Sequence, residues 1–141
     1  MKYFIDSNIF LRVLELEDQK IFDECSGLLK LINNSEINAC TSNFVLAELV
    51  WVLDSYYNES KSKMTKSIDG ILKLNNLKII DEVDTFNALE LFSEKSVKYI
   101  DALIASNPEI QSKKMIVISY DKDFDKLGVK RLEPKDILWY K

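Results

Sequence analysis

Short apolar runs alternate along this chain with segments of helical periodicity. No other feature constrains the fold as much. Residues 2–5, 37–41, 77–80 and 115–119 are brief and largely apolar, as buried strands are, and 129–132 offers a last edge strand. Between them, the stretch from Asp18 to Asn33 carries Ile21, Phe22, Cys25, Leu28, Leu29 and Ile32 at the spacing of one helix face. Further helices are predicted from a Ser7 or Asn8 cap to Glu15, from Ser42 to about Tyr57, and over 61–74, 85–95 and 99–105. A short helix or turn at 121–127 stops at Gly128. Strands that alternate with helices imply crossovers, a mainly parallel sheet and helices on both faces. The expected fold is a three-layer α/β/α sandwich with a sheet of four or five strands, in a single domain spanning 1–141.

Composition narrows the function classes. A chain of 141 residues, 47% apolar and 30% charged, has enough material for a proper core. Its net charge of -4 speaks against a nucleic-acid binder driven by charge alone. Cys25 and Cys40 have no close pairing motif and read as buried thiols of a reduced compartment. The apolar run after Lys2 is too short for a secretory leader, and Phe44 to Leu53 is interrupted by Glu48 and too short to cross a bilayer. A cytoplasmic protein without membrane contact is expected.

Four carboxylates stand against apolar sequence: Asp6 after YFI, Glu48 within FVLAELVWVL, Asp101 within YIDALIA and Asp121 after MIVISY. A buried carboxylate is costly unless it is paired, protonated or bound to a metal. The chain has no histidine, which removes the commonest general base and metal ligand. Acids without histidine suggest a hard cation held by oxygens.

Each acid also has a plainer reading. Asp6 can cap the helix that follows it, Asp101 can be a first-turn acid favoured by the helix dipole, and Glu48 can make a core salt bridge. Its neighbours at i±3 and i±4, Phe44, Val45, Trp51 and Val52, argue against a solvated role. A helix start rich in acids explains Asp123 and Asp125 cheaply, and Asp121 less well. In open parallel sheets ligands bind beyond the carboxyl ends of the strands. Asp6 and Asp121 both fall there. Asn8 and Ser119 are nearby polar groups. Arg12, one turn past Asn8, is a candidate for a substrate phosphate or a plain surface charge. Lys61, Lys63 and Lys66 form either a solvated face or a substrate contact.

Four segments together resemble the PIN domain family, and most closely its VapC-like ribonuclease toxins of toxin–antitoxin systems. They are YFIDSNIFLR, SNFVLAELVWVL, YIDALIAS and VISYDKDFDKL, in the family's order and spacing and spread over the whole chain. The resemblance implies an endoribonuclease that depends on Mg²⁺ or Mn²⁺. It makes Asp6, Glu48, Asp101 and Asp121 the catalytic and metal-binding acids, with Asn8, Ser119 and Asp123 in support. On this reading Asp6 and Asp101 bind metal most directly, and Asp121 and Glu48 act through water or a second ion. It also implies an RNA substrate, a homodimer and a cognate antitoxin whose C-terminal segment enters the active-site groove. Two alternatives compete. One is a haloacid-dehalogenase-like phosphohydrolase with Asp6 as nucleophile and Asp121 and Asp125 as its late pair. The other is a PIN-like RNA-binding scaffold without catalysis.

Overall fold

The computed structural model describes residues 1–139, so the last two residues of the expected 1–141 domain lie outside the described residues. Five strands form one sheet, and every pairing is parallel. They are β1 (Lys2–Ile5), β2 (Asn38–Thr41), β3 (Leu77–Ile79), β4 (Met115–Ile118) and β5 (Arg131–Leu132), in the spatial order β3-β2-β1-β4-β5. The helices are α1 (Ser7–Leu14), α2 (Gln19–Asn33), α3 (Asn43–Ser55), α4 (Lys61–Leu72), α5 (Thr85–Glu94), α6 (Tyr99–Ala105), α7 (Pro108–Gln111) and α8 (Pro134–Leu138), with a 3₁₀ turn at Lys122–Leu127.

Strand side chains alternate between two cores, as the period of two requires. On one face Ile5, Ile116 and Ile118 pack with Ile9 and Phe10 of α1, Leu28 and Ile32 of α2, and Leu49 and Leu53 of α3. On the other, Phe4, Met115 and Val117 pack with Ile104 and Ala105 of α6, Ile110 of α7, and Phe124 and Leu127 of the 3₁₀ turn. Both faces of β4 are covered, which is why its sequence is continuously apolar. Each large apolar side chain fully buried in this way contributes about 1.5–3 kcal/mol.

Register positions the site. Ile5 pairs with Ile118, so β1 and β4 end level. The Asp6 amide extends their ladder by donating to the Ile118 carbonyl at 3.1 Å. Asp6 and Ser119 therefore leave the sheet side by side.

The structure departs from sequence expectation at several points. Asp6 caps α1, as its plainer reading allowed, and the alternative caps Ser7 and Asn8 lie within the helix. The helix α3, apolar over most of its length, still has an open row of Asn43, Ala47 and Trp51, with Trp51 68% exposed. It packs against α1 and α4 and leaves its i, i+4, i+8 row uncovered. Neither α7 nor α8 was anticipated, although each begins with proline at a first-turn position behind a polar cap, Asn107 or Glu133. Gly128, at φ 70°, ends the 3₁₀ turn in the left-handed conformation that glycine adopts without strain. No described helix is long and apolar enough to cross a membrane.

Candidate metal centre

Asp6 is 3% exposed and well supplied with donors. Its Oδ1 accepts from the Ser7 amide at 2.8 Å, and its Oδ2 accepts from the Ser119 hydroxyl at 2.7 Å. Asn8 Nδ2 lies 3.4 Å from the same Oδ2 and donates to Ser119 Oγ at 2.9 Å. The Ser119 hydroxyl also accepts from the Asp121 amide at 3.0 Å. One hydroxyl thus couples the ends of β1 and β4. Burial pushes the Asp6 carboxyl up to about 6, against the opposing pull of the Ser119 and Ser7 hydrogen bonds.

Asp101 is held differently. It lies in the first turn of α6 and is 1% exposed. Neither of its carboxylate oxygens has a hydrogen-bond donor in the protein. A dipole role leaves this unexplained, because the side chain bonds to no helix amide. Burial, then the charge of Asp6, pushes its carboxyl up to about 8, with Lys98 opposing. A buried, undonated carboxylate needs either a proton or a cation.

Asp121 caps the 3₁₀ turn, its Oδ1 accepting from the Asp123 amide at 2.9 Å. The turn thereby aims two acids at Asp101. One oxygen each from Asp101, Asp121 and Asp123 lies within 4.8 Å of the others. Glu48 projects from the middle of α3, and its Oε1 accepts from the Ser7 hydroxyl at 2.5 Å. Ser7 therefore links Glu48 to the Asp6 turn.

The donor set consists of carboxylates with no nitrogen or sulfur, which suits Mg²⁺ or Mn²⁺. The orphaned oxygens of Asp101 fit the same assignment, because a cation would supply the partner they lack. Asp101, Asp121 and Asp123 bring their oxygens close enough together that they could hold such an ion.

Other sequence candidates lie elsewhere. Arg12 Nη1 pairs with Glu17 Oε2 at 2.7 Å, and Glu17 also accepts from the Tyr57 hydroxyl. Lys63 pairs with Glu59 at 3.0 Å, and no ion pair joins Lys61, Lys63 or Lys66 to the acids among the described residues. Asp125 is held by Arg131 at 3.0 and 3.2 Å. Asp125 is thus not among the acids gathered with Asp101 and Asp121, so the late acid pair of a phosphohydrolase is not assembled at the site.

Sequence reasoning missed Lys98 altogether. Its Nζ lies 3.8 Å from Asp121 Oδ2 and 3.9 Å from Glu48 Oε2. Burial alone would lower its pKa, but Asp101, Glu48, Asp6 and Asp121 together raise it. The available signal was its place three residues before Asp101, since gathered acids call for a counter-charge. Asp123 was underweighted because its spacing fits a helix start equally well.

The match to a PIN domain family model runs over residues 3–130, and the chain belongs to the PIN domain family. A comparison with curated protein sequences finds no match. Among solved structures, VapBC2 from Rickettsia felis bound to a DNA fragment from its promoter is similar, with a TM-score of 0.70 and 23% identity over 94% of this chain and 98% of that one. FitAcB from Neisseria gonorrhoeae gives 0.65 and 16% over 94% and 98%. VapC20 of Mycobacterium tuberculosis, a toxin that cleaves the sarcin–ricin loop, gives 0.64 and 16% over 94% and 99%. At these identities the likeness is one of fold.

Proposed function

We propose that this chain is a metal-dependent endoribonuclease and the toxin of a toxin–antitoxin pair. One observation carries the reading. Asp101 is buried with both oxygens undonated, beside Asp121 and Asp123 and beyond the carboxyl ends of a parallel sheet. Such an arrangement is a poor way to stabilise a fold and a good way to bind a divalent cation. Bound Mg²⁺ or Mn²⁺ would supply an activated water and neutralise charge on a phosphodiester.

The chain's own groups have separable tasks. Asp101, Asp121 and Asp123 hold the cation. Ser119, Asn8 and the Ser7 amide fix Asp6 in one orientation at the edge of the cluster. Ser7 orients Glu48 from the other side. Asp6 and Glu48 are then positioned to orient water through their free lone pairs. With no histidine in the chain, proton transfer falls to water and carboxylates.

The toxin assignment draws on the likeness to VapBC2, FitAcB and VapC20, and the partner it suggests is an antitoxin that covers the acidic groove. Exposed Phe86, Leu89 and Phe92 on α5, with Tyr99 on α6, form an apolar strip that supports a homodimer. The purified chain should cleave single-stranded RNA with Mg²⁺ or Mn²⁺ and stop on addition of EDTA. Asp101→Asn should be inactive. Full cleavage in EDTA, or by that variant, refutes the assignment. A scaffold without catalysis would instead show no saturable Mn²⁺ site that depends on Asp101.

A further inference from the structure

Lys98 faces two acids of the site at once, Glu48 and Asp121, yet it is loosely held. Its two contacts, 3.8 Å to Asp121 and 3.9 Å to Glu48, exceed hydrogen-bond length, and its side chain is 60% exposed. Other cations near these acids are bound more closely: Lys126 reaches Asp123 at 2.9 Å, and Arg131 reaches Asp125 at 3.0 Å. Lys98 occupies the N-cap position of α6, where its ammonium, a donor only, cannot accept from the free helix amides. Its side chain is therefore no cap for its own helix. Its backbone anchors it one turn before Asp101, at the mouth of the cluster.

We infer that Lys98 exchanges partners, neutralising Glu48 and Asp121 in the metal-free protein and moving to a substrate phosphate once a divalent cation is bound. The inference rests on the nuclease reading above and assigns that site a further substrate-positioning residue. A cation held by Asp101, Asp121 and Asp123 repels the ammonium and takes over the charge of Asp121. No other carboxylate pairs with Lys98 among the described residues. An exposed ammonium on a flexible stem, beside a phosphodiester-binding metal centre, has a non-bridging phosphate oxygen as its natural new partner.

The exchange predicts effects of opposite sign from one substitution. Lys98→Met should bind Mn²⁺ about three- to tenfold more tightly in isothermal titration, because two weak ion pairs no longer compete for the acids. The same variant should bind a fluorescein-labelled 20-nucleotide single-stranded RNA more weakly. This is read by anisotropy with Ca²⁺ in place of Mn²⁺, with the RNA checked intact on a gel. The slope of log K against log salt should fall by about 0.7, the loss of one phosphate contact to a single strand. Lys98→Arg should restore RNA binding, and Lys20→Gln, on the exposed start of α2, should change neither measurement. A purely structural role would weaken both kinds of binding together. Unchanged or weaker Mn²⁺ binding in Lys98→Met overturns the exchange, and so does unchanged RNA binding. If the unmodified chain binds no Mn²⁺, the nuclease reading falls and the exchange with it. If it binds Mn²⁺ and RNA but the variant matches it, the exchange alone falls.

Discussion

Asp101→Asn should stabilise the metal-free protein and destroy its response to metal. The Asp101 carboxyl ionises at about 8 in the folded chain, against 3.8 for an ordinary aspartate. Below pH 4 both folded and unfolded states hold the proton, and the residue has no linkage effect. As pH rises from 4 to 8, the unfolded chain releases the proton while the native chain keeps it. Native stability then falls by about 1.4 kcal/mol per pH unit. The accumulated loss is on the order of 5 kcal/mol by pH 8, a large part of the roughly 5–15 kcal/mol that holds a domain together. Asparagine is neutral at every pH and removes this loss. The protonated Asp101 carboxyl hydrogen-bonds to Asp121, and the asparagine amide can donate to the same carboxylate in its place. Urea unfolding in EDTA should therefore show the variant and the unmodified chain nearly equal at pH 3.5 and the variant several kcal/mol more stable at pH 8. Mn²⁺ at a hundred times its dissociation constant should raise the unmodified chain by about 2.7 kcal/mol and the variant by almost nothing. A variant less stable than the unmodified chain in EDTA at pH 8 would refute this account of the site.

Asp6→Asn should give the metal-free protein less added stability than Asp101→Asn does. Both Asp6 oxygens accept hydrogen bonds, so the new amide must point a donor at either the Ser7 amide or the Ser119 hydroxyl. That loss, about 1–3 kcal/mol, offsets the gain from removing a buried charge, so we expect little net change in urea unfolding at pH 8, together with loss of Mg²⁺-dependent RNA cleavage; unchanged cleavage would remove Asp6 from the site. Ser119→Ala leaves Asp6, Asn8 and the Asp121 amide each one partner short, and should cost about 1–3 kcal/mol and weaken Mn²⁺ binding in calorimetry. Phe124→Ala empties a fully buried site beneath the 3₁₀ turn. It should cost about 3–5 kcal/mol and also loosen Mn²⁺ binding, because the same turn carries Asp121 and Asp123. Intact affinity in that variant would show that the acids do not depend on the core beneath them.

How much was legible before the fold was known depended on how local each cause is. MIVI reads as a doubly covered strand because four consecutive buried positions leave no polar alternation, and α2 reads as a helix because one face repeats over fifteen residues. The short α7 and α8 have no periodicity to read, and only their Asn-Pro and Glu-Pro junctions signal them. The open row on α3 could not be foreseen. Asn43, Ala47 and Trp51 are uncovered because of where α1 and α4 happen to lie.

Within the site, the same distinction separates what the acids announced from what they concealed. An aspartate directly after an apolar strand is unusual in itself, so Asp6 and Asp121 stand out in the sequence. Asp123 does not, because two structures explain its spacing. An acidic helix start and a metal-facing turn place the same residue two positions after a capping aspartate. Only the third dimension distinguishes them, by setting α6 with Asp101 against that turn. Lys98 is hidden for the converse reason. A single lysine in SVKYID is ordinary until Glu48, fifty residues away, is folded to within 3.9 Å of it. Attraction between opposite charges distant in sequence leaves no periodic trace. Counting the uncompensated acids and asking which cation could reach them is therefore the step by which a sequence could reveal such a residue.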